Sequence, residues 1–152
     1  DSQFFLRWNG TGDLFDEAVE ALLLINQALP NMPIWVVTRK PQHVERLANI
    51  RNIWVHFSLD RASMSRRKKV LSLFKVQPKN LFFSYQADKN EVLEAIPADI
   101  SVVFFDSYKI KGNEVFNDHP ALCPLNSRED ISSTCRACRR CFNGTAQDIN
   151  YA

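Results

Sequence analysis

Apolar positions come in short blocks, and their period changes along the chain. Phe4 to Trp8 is a continuous apolar run of strand length. Asn9-Gly-Thr-Gly-Asp13 then forms a tight turn able to start a helix, with Asp13 as its expected N-cap. From Leu14 to Leu29, Leu14, Phe15, Ala18, Ala21, Leu22 and Ile25 recur at three- and four-residue steps, which predicts a helix. Pro30-Asn-Met-Pro33 ends it, because proline lacks an amide hydrogen and disfavours helix in the residue before it. Ile34-Trp-Val-Val37 predicts a second strand, Gln42 to Ile50 a helix, and Ile53-Trp-Val-His-Phe57 a third strand. Ser63 to Phe74 reads as a second long helix and Leu81-Phe-Phe-Ser84 as a strand. Asn90 to Ile96 reads as a short helix, and Ser101-Val-Val-Phe-Phe105 closes the series.

Alternating strands and helices are the rhythm of right-handed βαβ units feeding a parallel sheet. The strands are near-continuous apolar runs, as expected when helices cover both faces. Five units fall short of an eight-stranded barrel. The expected fold is therefore α/β, with five mostly parallel strands in an open or half (β/α) barrel. Residues 1–106 would form the sheet domain, and 107–152 a cysteine-rich, metal-binding tail packed on it. Asp106 to Ala121 is polar, with Gly112 and Pro120, and suits a long connection.

Composition adds bounds. The 152 residues suit one domain, and 45% hydrophobic with 24% charged residues excludes a disordered chain. No run approaches the ~20 apolar residues of a membrane span, and no secretory leader is visible. The expectation is a cytoplasmic protein with no membrane partner. The chain starts without Met and almost at once with a strand, which suggests trimming at the front. A net charge of +2 does not by itself argue for nucleic acid.

The four cysteines carry the strongest chemical signal. Cys123 is followed, after eleven intervening residues, by Cys135, Cys138 and Cys141, and the first 122 residues contain none. A disulfide framework would tie distant segments together, whereas this clustering suits one local metal centre. Sulfurs at two-residue intervals converge on one side of a short loop, and the two common outcomes are tetrahedral Zn²⁺ and an iron–sulfur cubane, with free thiols or disulfides as a third. Zinc knuckles usually supply two separate Cys-x-x-Cys pairs. The overlapping Cys-x-x-Cys-x-x-Cys, with a remote Cys123 before Pro124, is closer to the bacterial ferredoxin run and favours [4Fe–4S]. Enzymes that cleave S-adenosylmethionine leave one iron free and typically carry Cys-x3-Cys-x2-Cys after the first strand. Four cysteines at the other end of the chain disfavour that chemistry and suit electron transfer or structure. Arg136, Arg139 and Arg140 lie within the motif, where they would stabilise a more reduced, more negative cluster, or else form a basic face for a partner.

Arg7 with Gly12-Asp13 after a first strand, Thr38-Arg39 after a second, and the closing Cys-Pro and Cys-x-x-Cys-x-x-Cys resemble a group of bacteriophage-encoded proteins. These are predicted iron–sulfur proteins of unknown activity with a partial (β/α) barrel and a C-terminal cysteine cluster. The resemblance implies viral origin and the cytoplasm of an infected bacterium, and it supplies no substrate.

Ligands of parallel α/β sheets bind beyond the strands' carboxyl ends. That rule selects Arg7, Asn9 and Asp13, then Thr38, Arg39 and Lys40, then Ser58, Asp60 and Arg61, with Ser84, Tyr85 and Asp106. Arg7, Asp13, Arg39 and Asp60 form the candidate ligand face, suited to a small polar or phosphorylated molecule. Caps and loop ion pairs use the same residue types. The glycine turn has no Gly-Lys-Ser/Thr, and Asp13 would repel phosphate. His43 falls in a helix pattern and His56 in a strand, while His119, before Pro120, is near the cysteines and could replace one as ligand. No histidine joins a nucleophile and a carboxylate in a recognisable order, so no catalytic constellation is evident. Arg66, Arg67, Lys68 and Lys69 form either a solvated helix face or, with the tail arginines, a nucleic-acid surface whose binding would weaken steeply with salt. The leading expectation is a small [4Fe–4S] protein with an unidentified redox or host partner. The alternative is a zinc-stabilised nucleic-acid or protein interaction module.

Overall fold

The computed structural model describes residues 5–8, 13–88, 91 and 99–105. The elements run β1 (Leu6–Trp8), α1 (Asp16–Ala28), β2 (Ile34–Thr38), α2 (Pro41–Leu47), β3 (Ile53–Leu59), α3 (Arg66–Leu71), β4 (Leu81–Ala87) and β5 (Ile100–Phe105). All five strands lie in one sheet in the order β1-β2-β3-β4-β5, and every neighbouring pair is parallel. The α/β class and the five strands match the expectation. The cysteine-rich tail and the Asn90–Ile96 helix pattern fall outside the described residues, Glu91 excepted, and Glu91 is not helical.

Local chemistry explains where elements begin. Asp16 and Glu17 sit in the first turn of α1, where negative charge meets the positive end of the helix dipole. Pro41 opens α2, its fixed φ and missing N–H both suiting that position. Asn52 has φ 64°, a left-handed conformation asparagine tolerates, and its side-chain amide donates to the Pro30 carbonyl. This corner sends the chain from α2 into β3.

Two helix expectations change. The segment predicted as a helix from Ser63 to Phe74 yields only Arg66–Leu71, because Ser63 is held in a turn by Asp60. Four adjacent cations with no acid in the first turn also give that helix little support. Asp13 does not cap α1. The N-cap position is Phe15, which makes no side-chain cap, and the Asp13 carboxylate is used elsewhere.

Strand register defines two faces. Ile34, Val36 and Thr38 align with Ile53, Val55 and Phe57, and Val55, Phe57 and Leu59 align with Leu81, Phe83 and Tyr85. Apart from Thr38, whose hydroxyl turns to Asp13, these side chains form one buried core with Leu14, Val19 and Leu22 of the first helical segment, Val44 and Leu47 of α2, and Val70 of α3. The opposite alternation carries Arg7, Trp35, Trp54, His56, Ser58, Phe82, Ser84 and Gln86. The expectation of helices on both faces therefore gives way to a one-sided arrangement of the described helices. A strictly sequential parallel order with right-handed crossovers places every crossover on the same side.

Candidate functional site

The carboxyl edge of the sheet gathers three of the four predicted ligand-face residues into one network. Asp13 follows β1, and its carboxylate accepts the Leu14 amide at 2.7 Å, the Thr38 hydroxyl at 2.8 Å and the Arg39 amide at 3.1 Å. Thr38, the last residue of β2, is buried and also accepts the Lys40 amide at 3.1 Å. Lys40 Nζ donates to the Leu14 carbonyl at 2.7 Å, so a second bond ties the end of β2 to the chain after β1.

Arg39 extends the network to the end of β3. Its guanidinium meets Asp60 Oδ2 at 2.8 Å. The other oxygen, Oδ1, accepts the Ser63 hydroxyl at 2.7 Å and the Ser63 amide at 2.8 Å, while Ser63 Oγ accepts the Asp60 amide at 2.9 Å. The Ser63 hydroxyl bond leads in holding the Asp60 carboxyl below its ordinary range, against the opposing effect of burial. The Ser63 amide and Arg39 add to the lowering. One carboxylate thus binds an arginine on one side and closes its own turn on the other.

Beside this network, Tyr85 projects from β4 and donates to Glu91 Oε1 at 2.5 Å, and Glu91 Oε2 accepts the Asp88 amide. Burial first, and Glu91 second, push the Tyr85 phenol well above its ordinary range. Tyr85 therefore stays protonated and acts as a hydrogen-bond donor.

Arg7 is not at this edge. It lies within β1 on the opposite sheet face, with its guanidinium 4.6 Å from the Trp35 ring centroid. Trp35 meets His56 edge-on at 5.7 Å, and His56 meets Phe82 at 5.4 Å. Next along the strands, Ser58 pairs with Ser84 in register. Ser84 is fully buried and its hydroxyl has no hydrogen-bond partner among the described residues.

His43 is buried in α2, with Nε2 2.7 Å from the exposed Asp16 carboxylate, whose pKa this bond lowers. It supports the α1–α2 contact. In the basic run, Arg67 pairs with Asp99 at 2.8 Å, whereas Arg66, Lys68 and Lys69 are exposed. Asn9, Asp106, His119 and the four cysteines lie outside the described residues. Among the described residues no cluster of three or more metal-binding side chains occurs, and no helix is long and apolar enough to cross a membrane.

Sequence reasoning missed Glu91 as the partner of Tyr85 and Ser63 as the partner of Asp60. The Asp60-x-x-Ser63 spacing was the available signal for the second pair, since Asp side chains readily close local turns. It also missed the Trp35–His56–Phe82 row, which is legible only once strand register is known.

Comparison with curated proteins and with solved structures gives no significant match. A family model described as gene product 88 matches residues 2–144, nearly the whole chain. The chain accordingly belongs to the phage-type gene product 88 family.

Proposed function

We propose that this protein is a small [4Fe–4S] cluster protein, acting in electron transfer or as a cluster-stabilised binding protein in the cytoplasm of an infected bacterium. The observation that carries the reading is the local Cys123, Cys135, Cys138 and Cys141 set. Four thiolates match the donor count and softness that a cubane requires. When bound, the cluster supplies a one-electron couple. The four cysteines hold it, and Arg136, Arg139 and Arg140 favour its more negative, reduced state. The polar edge of the sheet supports a non-catalytic role. Asp13, Arg39, Asp60 and Tyr85 are engaged with one another or with nearby backbone and side chains, as a brace is. We read the sequential β1–β5 order as that of a half (β/α) barrel.

The test is metal and sulfide analysis of anaerobically purified protein, with about four iron and about four sulfide per chain expected. Cys138→Ser should lose most of that content. A second reading is favoured by the exposed Arg66, Lys68 and Lys69 on α3, a ready phosphate-binding surface. On that reading the tail binds Zn²⁺ and the protein is an interaction module. A colourless preparation with about one zinc per chain, and nucleic-acid binding that falls steeply with salt, would establish it in place of the first.

A further inference from the structure

The middle of the second sheet face is buried at Trp35, His56, Ser58 and Ser84, while Trp54, Phe82 and Gln86 around it are half-buried, yet no described helix or strand covers it. Trp35 is 4% exposed, and His56 and Ser84 are 0% exposed. Trp35 stands outside the core cluster that joins the helices to the other face. The described helices cannot be the cover, since their buried apolar residues all join that cluster and the buried His43 of α2 bonds Asp16 of α1. Trp54, His56 and Gln86, all on this face, are engaged in interactions beyond those described above.

We propose that residues 106–152 pack across this face and form a second core layer on the Trp35–His56–Phe82 row. The choice of occupant follows from chain length and topology. Right-handed crossovers of a sequential parallel sheet share the helix side, and Glu91 between β4 and β5 meets Tyr85 of the helix-side core. Residues 1–4 precede the edge strand β1, and residues 9–12 join it to α1. The chain after β5 is long enough to span five strands. It leaves the sheet at the carboxyl edge, beside the Ser58–Ser84 end of the face. It also carries Phe116, Leu122, Leu125, Ile131 and Phe142, apolar side chains that need a surface to bury against.

The face suits such a segment. Trp35 and Phe82 offer aromatic area to such a segment. The inference is independent of which metal the cysteines hold, so a zinc protein and an iron protein should pack alike.

The test places a photo-crosslinking amino acid on this face of the full-length, metal-loaded protein. Phe82→p-benzoylphenylalanine keeps an aromatic ring where Phe82 meets His56. Should that variant fail to fold, Val37→p-benzoylphenylalanine probes the half-buried position aligned with His56. After irradiation, peptide mapping is expected to place most cross-links within residues 106–152. Cross-links confined to residues 5–105, or a covalent dimer showing that a second copy covers the face, would overturn the proposal.

Discussion

Asp13 shows how one side chain can join two segments. Its carboxylate receives the Leu14 amide, the Thr38 hydroxyl and the Arg39 amide, so the chain after β1 and the end of β2 share one acceptor. Asp13→Ala leaves those donors to find other partners and should cost about 2–3 kcal/mol, read from urea unfolding. Ser84→Ala should behave oppositely. Removing a buried hydroxyl that has no partner among the described residues should leave stability unchanged or raise it by up to about 1 kcal/mol. A clear loss would show that the hydroxyl is in use. Asp60 adds a pH dependence. Its folded pKa lies below the unfolded value of about 3.9, so its contribution is present above that pH and is lost as pH falls through the folded value. Asp60→Asn should lower the melting temperature at neutral pH and flatten the acid limb of melting temperature against pH.

Among elements, β3 holds the central place, paired with β2 on one side and β4 on the other. Phe57 stands at its middle, fully buried and edge-on to Phe83 at 6.3 Å. Phe57→Ala should cost about 3–5 kcal/mol through lost burial and the cavity left behind, measured by denaturant unfolding. The exposed Arg67–Asp99 pair links α3 to the start of β5, and an ion pair of this kind contributes under about 1 kcal/mol. The helices differ in the same way. The first has acids at its start and an apolar stripe, whereas α3 relies chiefly on Val70 for its anchorage.

At the level of the whole molecule, the sheet has one face built by helices and a second built of Trp35, His56 and Phe82. This division refines what metal loss should do. On the packing proposed above, ordering the tail would cost on the order of 1–2 kcal/mol per residue in backbone entropy, which a bound metal and the second face together would offset. Cys138→Ser, or stripping the metal, should open residues 106–152 to limited proteolysis and expose the second face to a hydrophobic dye. The helix-covered core should keep its far-ultraviolet circular dichroism. Loss of all secondary structure would instead make the second layer essential to the first.

The strand–helix alternation and the parallel class were legible in the sequence, because both follow from local period: apolar runs of strand length between stretches with three- and four-residue steps. The strand-end residues Asp13, Arg39 and Asp60 were also legible, since a parallel sheet brings all carboxyl ends to one edge. The cysteine set could be read as a metal-binding pattern from spacing alone, and it is from spacing that the cluster reading still comes. What the sequence could not show were properties of register and neighbours. An apolar strand looks the same whether a helix covers one face or both. Only the β1-β2-β3-β4-β5 order reveals that the described helices share one side. Asp13 looked like a helix cap because capping is its commonest local use. Its actual partners, Thr38 and Arg39, are remote in sequence and meet it only when β1 and β2 pair. The same reason placed Arg7 away from the edge, over Trp35: alternation along a strand is written locally, but which face meets which neighbour is decided by tertiary packing.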